Sequence, residues 1–247
     1  MKSRKYDFIF SIGEACSCTQ VLRQLGLQDA SYPFDWLFGN TFIGRCKILS
    51  EEFKDFIRKE DLEFFREEKS IKCNAYHNKL NDIVFNHDFL KSINFEEAYT
   101  IVREKYDRRI KRLLNKIQNS NSVLVVYMEI PTTNHVEVPN EEILQGYSIL
   151  KEKFGDKINL LYIKNSKCKT IIEEFENGKI TKVTGDYKKD NSNLDYLIKN
   201  SKIIPIFFKI GFNKRFHICK IKTIQFFIKK FVPFKNYEEK WLKSLHL

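Results

Sequence analysis

Three mostly hydrophobic stretches divide the chain and predict buried β-strands. They cover residues 8–10, 122–128 and 158–163. Strands that are apolar on both faces are typical of parallel sheets, which helices cover on each side. Between the second and third stretches, residues 140–154 repeat hydrophobic positions at helical spacing. This order of strand, helix and strand predicts a right-handed βαβ unit.

The rest of the first 200 residues contains further helix and strand patterns. Polar capping residues followed by amphipathic stretches predict two helices, which begin at Ser50 and Asn94. Another helix should run from about Cys16 to Leu25 and end at Gly26. The remaining predicted elements are short strands at 71–76 and 82–86, a hairpin around Asn177 and Gly178, and a short helix near 194–200.

Together these elements predict an α/β fold with three layers, in which a mainly parallel sheet lies between flanking helices. Ligands of open α/β sheets bind at the carboxyl ends of the strands. We therefore expect residues 1–200 to form the α/β domain that carries the functional site. Residues 201–247 should form a separate, basic helical segment.

Residues 201–247 hold most of the net charge. They contain 11 Lys or Arg and 2 Asp or Glu, so +9 of the formal +11 lies in the last fifth of the chain. One apolar stripe recurs there at helical spacing, with lysines around it: Ile221, Ile224, Phe227, Ile228 and Phe231. This stripe predicts an amphipathic helix that either lies on an anionic membrane surface or packs on the core. No nucleic-acid-binding motif accompanies the charge, so we do not expect a nucleic-acid partner.

The composition is that of a globular protein, with 43% hydrophobic and 30% charged residues. No apolar stretch reaches the roughly 18 residues of a membrane-spanning helix, and the N-terminus lacks the apolar length of a signal peptide. The six cysteines follow neither a disulfide framework nor a typical zinc-binding spacing, so we expect reduced thiols, a cytoplasmic location and no metal. Neither a Walker loop nor a G-x-G-x-x-G motif is present, and no cofactor is expected.

Cys16 is the strongest candidate for a nucleophile. It follows the first apolar strand and Gly13, in what should be the first turn of a helix. Free N–H groups and the positive end of the helix dipole stabilise a thiolate at such a position and lower the pKa of the thiol. The alternative is a buried structural cysteine at the ordinary start of an α/β domain.

Five sequence blocks form a recognisable pattern: SIGEAC at 11–16, GLQDASYPFDW at 26–36, YHN at 76–78, FNHDF at 85–89 and, more weakly, Tyr106 with Arg108 and Arg109. These blocks resemble an uncharacterised, mostly bacterial family of papain-like cysteine peptidases. The chain departs from the family at Gln28, where a basic residue is frequent. The resemblance spans roughly residues 6–130. It implies that Cys16 is a nucleophile and works with a histidine.

His87 is the preferred base for Cys16, because it follows an apolar strand and belongs to one of these blocks. Its neighbour Asp88 should complete the catalytic group, although the two residues also suit a structural hydrogen-bonded corner. His135, on a loop after the strand at 122–128, is the alternative base. The predicted substrate-binding residues are Ser11, Gly13, Asp35, Trp36 and Arg109, of which Asp35 and Trp36 suit a core role equally well.

We therefore expect a cysteine-dependent enzyme that cleaves or transfers the acyl group of a small-molecule, glycan or peptide substrate. The element order is closer to esterases whose nucleophile follows the first strand than to a papain fold. One alternative is an acyltransferase of surface polysaccharide biosynthesis, held at the inner membrane face by residues 201–247. Another is a non-catalytic glycan- or phosphate-binding protein in which Cys16 is merely buried.

Overall fold

The computed structural model describes residues 6–24, 26–67, 72–129, 138–166, 168 and 171–185. In chain order its elements are β1 (Phe8–Ser11), α1 (Ala15–Gln24), β2 (Leu37–Gly39), α2 (Phe42–Ser50), β3 (Leu62–Glu67), β4 (Cys73–Asn78), β5 (Ile83–Leu90), α3 (Phe95–Gln118), β6 (Val123–Met128), α4 (Asn140–Phe154), β7 (Ile158–Asn165), β8 (Ile171–Phe175) and β9 (Ile180–Gly185). Two short 3-10 turns cover Lys59–Asp61 and Glu176–Gly178.

The larger sheet has five strands in the order β1-β6-β7-β9-β8. Its first four strands are parallel, and β8 pairs antiparallel with β9. Helix α4 connects the neighbouring parallel strands β6 and β7, which confirms the predicted βαβ unit. Helices cover both faces of this mainly parallel sheet, and the predicted three-layer α/β fold is therefore confirmed.

Successive side chains of each strand point to opposite faces of the larger sheet, and each face has its own hydrophobic core. In β6, Val125 and Tyr127 belong to the larger core, to which α2, α3 and α4 also contribute. Leu124 and Val126 point the other way and join Leu22 of α1 in the smaller core. Every residue of β6 is buried, as expected for a strand that is covered on both faces.

A second, antiparallel sheet has the strand order β2-β5-β4-β3. The sequence predicts two of its strands, β4 and β5, but neither their partners nor a separate sheet. Strand β2 has only three residues and β3 exposes five of its six, so neither carries a strong hydrophobic pattern. Phe85 and Phe89 of β5 enter the larger core, which the two sheets therefore share.

The helix predicted to begin at Ser50 is wrong, because α2 ends at that residue. Thr41 caps α2 instead, and its hydroxyl accepts a backbone N–H of the first turn at 3.1 Å. Residues 51–57 form turns. The apolar side chains Phe53 and Phe56 reach the core from these turns without a helix.

Two other sequence predictions are confirmed in detail. Asn94 caps α3, since its side chain accepts the N–H of Glu97 at 3.0 Å. Strands β8 and β9 form the predicted hairpin, and Asn177 in its turn adopts a left-handed conformation with φ of 54°.

The predicted short helix at 194–200 and the basic segment 201–247 lie outside the described residues, and the division of the chain at residue 200 stays a prediction. None of the helices in the described ranges is long and apolar enough to cross a membrane.

Arg45 of α2 is completely buried and binds backbone carbonyls from two parts of the chain. Its guanidinium donates to the carbonyl oxygens of Ile12 and Gly13, at 3.4 and 2.9 Å, in the turn after β1. It also donates to the carbonyls of Leu37 and Gly39 in β2, at 3.2 and 2.7 Å. Burial lowers the pKa of Arg45, and the carbonyl dipoles replace the water that would otherwise solvate its charge. The side chain thus joins the larger sheet to the smaller one.

Replacing Arg45 with methionine should destabilise the protein by about 3 kcal/mol or more, because several buried carbonyl groups lose their hydrogen bonds at once. Urea unfolding followed by circular dichroism measures the difference. Arg58→Met is the control, since Arg58 pairs with Asp61 near the surface and such pairs contribute about 1 kcal/mol or less. Equal losses in the two variants would contradict the role assigned to Arg45.

Candidate active site

The turn between β1 and α1 presents Cys16 at the carboxyl edge of the larger sheet. The N–H groups of Ile12 and Glu14 bind the carbonyls of Val126 and Met128, at 2.9 and 3.2 Å, so that the turn follows the edge of β6. Cys16 is the second residue of α1 and is partly exposed. Its position is the one that the sequence predicts: just after the first strand, in the first turn of a helix.

Ser11 and Gly13 shape this turn. The buried hydroxyl of Ser11 accepts the N–H of Gly13 at 3.0 Å. A Cβ atom at Gly13 would lie 2.7 Å from Cβ of Cys18, which leaves room only for glycine. The structure therefore gives both predicted substrate-binding residues a role in positioning Cys16.

A bulge in β5 brings His87 to Cys16. Between Phe85 and Phe89, β5 carries two more residues than the facing segment of β4. Bulges redirect side chains and are frequent beside active sites. The exposed imidazole places its Nε2 atom 3.8 Å from Sγ of Cys16, a residue 71 positions away in the chain. The structure thus brings the predicted nucleophile and the predicted base together.

Burial raises the pKa of the Cys16 thiol to about 11. The charges of Asp35 and Asp88 add to this effect, whereas the N–H of Cys16 itself opposes it. The lowered pKa expected from the helix N-terminus is not found, because the loss of solvent outweighs the hydrogen bond from the N–H of Cys16. At neutral pH the sulfur is a thiol, and His87 is the group placed to take its proton.

Asp88 does not orient His87, and this part of the predicted catalytic group requires correction. Its buried carboxylate is bound by the ammonium group of Lys105 and, at 3.0 Å, by the hydroxyl of Tyr106, both on α3. The bulge directs Asp88 inwards and His87 outwards. Within the described part of the chain, no carboxylate is hydrogen-bonded to the His87 ring. We refer to Cys16 and His87 as the dyad.

Asp35 is fully buried and holds the loop before β2 against α1. Its carboxylate accepts hydrogen bonds from the hydroxyl of Thr19, the side-chain amide of Gln28 and the N–H of Tyr32. Burial raises the pKa of Asp35, while the bonds from Tyr32 and Thr19 and the charge of Arg23 act against this shift. Asp35 is an anchor of the loop, and Gln28 supplies a donor where the resembling family frequently has a basic residue.

Trp36 forms a wall of the site. Its ring meets the ring of His87 edge-on, with the centroids 6.4 Å apart, and the guanidinium of Arg23 lies 5.3 Å from the Trp36 ring centroid. Trp36 holds a φ of 69°, a left-handed conformation that is rare for a bulky residue. Strain of this kind persists only where the surrounding structure enforces it, and it is frequent at functional sites.

Two candidates from the sequence remain, Arg109 and His135. Arg109 of α3 stacks on Tyr106, with its guanidinium 5.3 Å from the ring centroid, and interacts with the charge of Asp35. His135, the alternative base, is outside the described residues. In the described ranges, no group of three or more His, Cys, Asp or Glu side chains could hold a metal ion.

Arg45 is the important residue that sequence reasoning misses. Once α2 is recognised as a helix, a signal exists: Arg45 lies three residues after Phe42 and four before Leu49, on the buried face. A charged residue on such a face needs dedicated partners and therefore indicates a structural role.

The fold and the site define an α/β protein with a cysteine–histidine dyad at the carboxyl edge of a parallel sheet. The chain belongs to the family described as "Putative papain-like cysteine peptidase (DUF1796)", whose model matches residues 7–154. Uncharacterized protein R408 of Acanthamoeba polyphaga mimivirus is 24% identical over 155 residues, which cover 56% of this chain and 69% of that protein. No solved structure matches. The family description indicates a cysteine-dependent hydrolase, and the matched range contains both Cys16 and His87.

Alkylation of Cys16 should keep accelerating as the pH is raised to about 9.5. Because its raised pKa of about 11 keeps the thiol protonated, the reactive thiolate fraction should grow about tenfold per pH unit over this range. Iodoacetamide labelling followed by mass spectrometry measures the rate. A cysteine-containing model peptide, with a thiol pKa of about 8.5, is the control and should level off earlier. A rate for Cys16 that levels off below about pH 8 would contradict the raised pKa.

Proposed function

We propose that this protein is a cysteine-dependent acyl hydrolase in which Cys16 attacks the acyl carbon and His87 moves the proton. The 3.8 Å contact between Sγ of Cys16 and Nε2 of His87 carries the proposal. The dyad lies at the carboxyl ends of parallel strands, where α/β proteins bind their ligands. A nucleophile next to a base is the arrangement that covalent acyl chemistry requires.

In the first half of the reaction, Nε2 of His87 takes the proton of the Cys16 thiol while the sulfur bonds to the acyl carbon. The carbonyl electron pair moves onto oxygen, and the N–H groups in the first turn of α1 offer donors to this oxyanion. Collapse of the tetrahedral intermediate breaks the bond to the leaving group, which takes the proton back from His87. A thioester on Cys16 remains.

In the second half, His87 removes a proton from water as the water oxygen attacks the thioester carbon. Collapse of the second intermediate breaks the carbon–sulfur bond, and the departing sulfur recovers the proton. A carboxylic acid leaves and the thiol of Cys16 is restored. His87 therefore serves as base and then as acid in each half of the cycle.

Packing orients His87, since no carboxylate of the described residues is hydrogen-bonded to its ring. The bulge in β5 fixes the backbone of His87, and Trp36 bounds its ring on one side. The separation of 3.8 Å exceeds that of a catalytic hydrogen bond, and contacts of this kind tighten when substrate binds.

A sugar hydroxyl in place of water would turn the same chemistry into acyl transfer, the alternative that the basic segment 201–247 suggests. The partly exposed ring of Trp36 beside His87 suits stacking on a sugar. Turnover in the presence of added sugars separates the two reactions. Formation of an acyl sugar at the expense of free acid supports transfer, whereas free acid alone supports hydrolysis.

Cys16→Ala should abolish thioester hydrolysis, and His87→Ala should lower kcat/KM by about 10²- to 10⁴-fold, because the proton transfer loses its base. Release of thiol from peptidyl thioesters provides the assay. His77→Ala is the matched control, since His77 lies on the adjacent strand β4 and binds Asp82 at 2.9 Å. Its activity should equal that of the wild type.

Turnover that survives Cys16→Ala would contradict the proposal, as would equal losses in His77→Ala and His87→Ala. A wild-type protein that binds acyl compounds but never releases thiol would favour the non-catalytic binding protein instead.

A further inference from the structure

Three buried polar side-chain atoms in the described part of the chain have no hydrogen-bond partner: Oε1 of Gln28, Oδ1 of Asn86 and Nη1 of Arg109. Nearly all buried polar atoms in folded proteins are paired, so each exception requires an explanation. These three belong to residues around the dyad. Gln28 binds Asp35, Asn86 precedes His87 in the bulge of β5, and Arg109 interacts with the charge of Asp35.

The contacts of α3 place Arg109 between the β5 bulge and the loop before β2. Three residues before it, Tyr106 binds Asp88 in the bulge at 3.0 Å. Three residues after it, Arg112 donates to the carbonyl of Ser31 in the loop at 3.1 Å. Residues three apart share one face of a helix, so Arg109 is directed between these two anchors.

The charges of Asp35 and Asp88 relate Arg109 to the nucleophile. Both carboxylates add to the rise that burial causes in the pKa of the Cys16 thiol, and the charge of Arg109 opposes the rise that burial causes in the pKa of Asp35. Asp35 already accepts three other hydrogen bonds, and Asp88 is bound by Lys105. The Nη1 donor of Arg109 is therefore left over, in a residue that is itself partly exposed.

We propose that Arg109 binds a carboxylate on the acyl part of the substrate, so that the hydrolase prefers acidic acyl groups. This inference rests on the proposed function of the dyad. Guanidinium and carboxylate groups pair through parallel, charge-assisted hydrogen bonds. A singly charged carboxylate fits better than a doubly charged phosphate, because Asp35 and Asp88 repel additional negative charge.

Two peptidyl thioesters that differ only in Glu or Gln as the acyl residue test this selectivity. Wild-type protein should hydrolyse the Glu thioester with a kcat/KM about 10- to 100-fold higher, the range that one charge-assisted hydrogen bond provides. Arg109→Gln should remove the preference while leaving the Gln thioester within about threefold of the wild type. Arg108→Gln is the matched control, because it removes the same charge from the next position, where 66% of the side chain is exposed. It should keep the preference.

Equal turnover of both thioesters by the wild type would overturn the inference and leave the dyad in place. The same holds for an Arg109→Gln variant that slows both substrates equally. Arg109→Lys separates damage to the fold from loss of recognition, since it keeps the charge and should retain part of the preference for Glu. Thioester turnover that does not depend on Cys16, or no turnover of either thioester, would instead overturn the proposed function itself.

Discussion

The geometry of the site depends on one buried cation. The guanidinium of Arg45 binds the carbonyls of the turn before Cys16 and, at the same time, those of β2. Strand β2 pairs with β5, with Leu37 opposite Phe85, and His87 follows two residues later. A continuous path of hydrogen bonds therefore leads from the turn that presents the nucleophile to the strand that carries the base. Cys16 follows a strand of the larger sheet, whereas His87 lies in a strand of the smaller one. No shared strand fixes their separation, and this path contributes to fixing it.

The buried carboxylates that hold the elements around the site together also affect the pKa of Cys16. Asp35 must be buried to hold the loop before β2 against α1, and its charge disfavours a thiolate at Cys16. Asp88, which ties the β5 bulge to α3, acts in the same direction. Desolvation is larger than either effect and outweighs the hydrogen bond from the N–H of Cys16. Cys16 is thus a thiol at neutral pH, which is less open to oxidation than a thiolate, and the proposed reaction requires His87 to activate it.

The sequence predicts the parts of this molecule that have a pattern of their own. Strand β6 is a continuous apolar run, and a parallel sheet follows from it, whereas β2 and β3 have no such run and their sheet is not foreseen. The role of Asp88 is predicted incorrectly because a bulge decides which of two neighbouring residues faces the core. The alternation of polar and apolar residues in the sequence does not reveal a bulge. The role of Arg45 is missed for a different reason. Its partners are backbone carbonyls, which every residue type has, so the sequence does not identify them.

The sheet that carries His87, the proposed base, distinguishes this site from the esterase arrangement that the element order suggests. In that arrangement the nucleophile follows the first strand of a parallel sheet, as Cys16 does here. His87, by contrast, comes from the antiparallel sheet, so the proposed reaction requires the acyl group to bind where the two sheets meet, beside Trp36. Helix α3 contacts Asp88 in the β5 bulge and Ser31 in the loop before β2. Because α3 joins these two segments, the proposed choice of acyl group can depend on its side chains while the dyad and its chemistry remain unchanged.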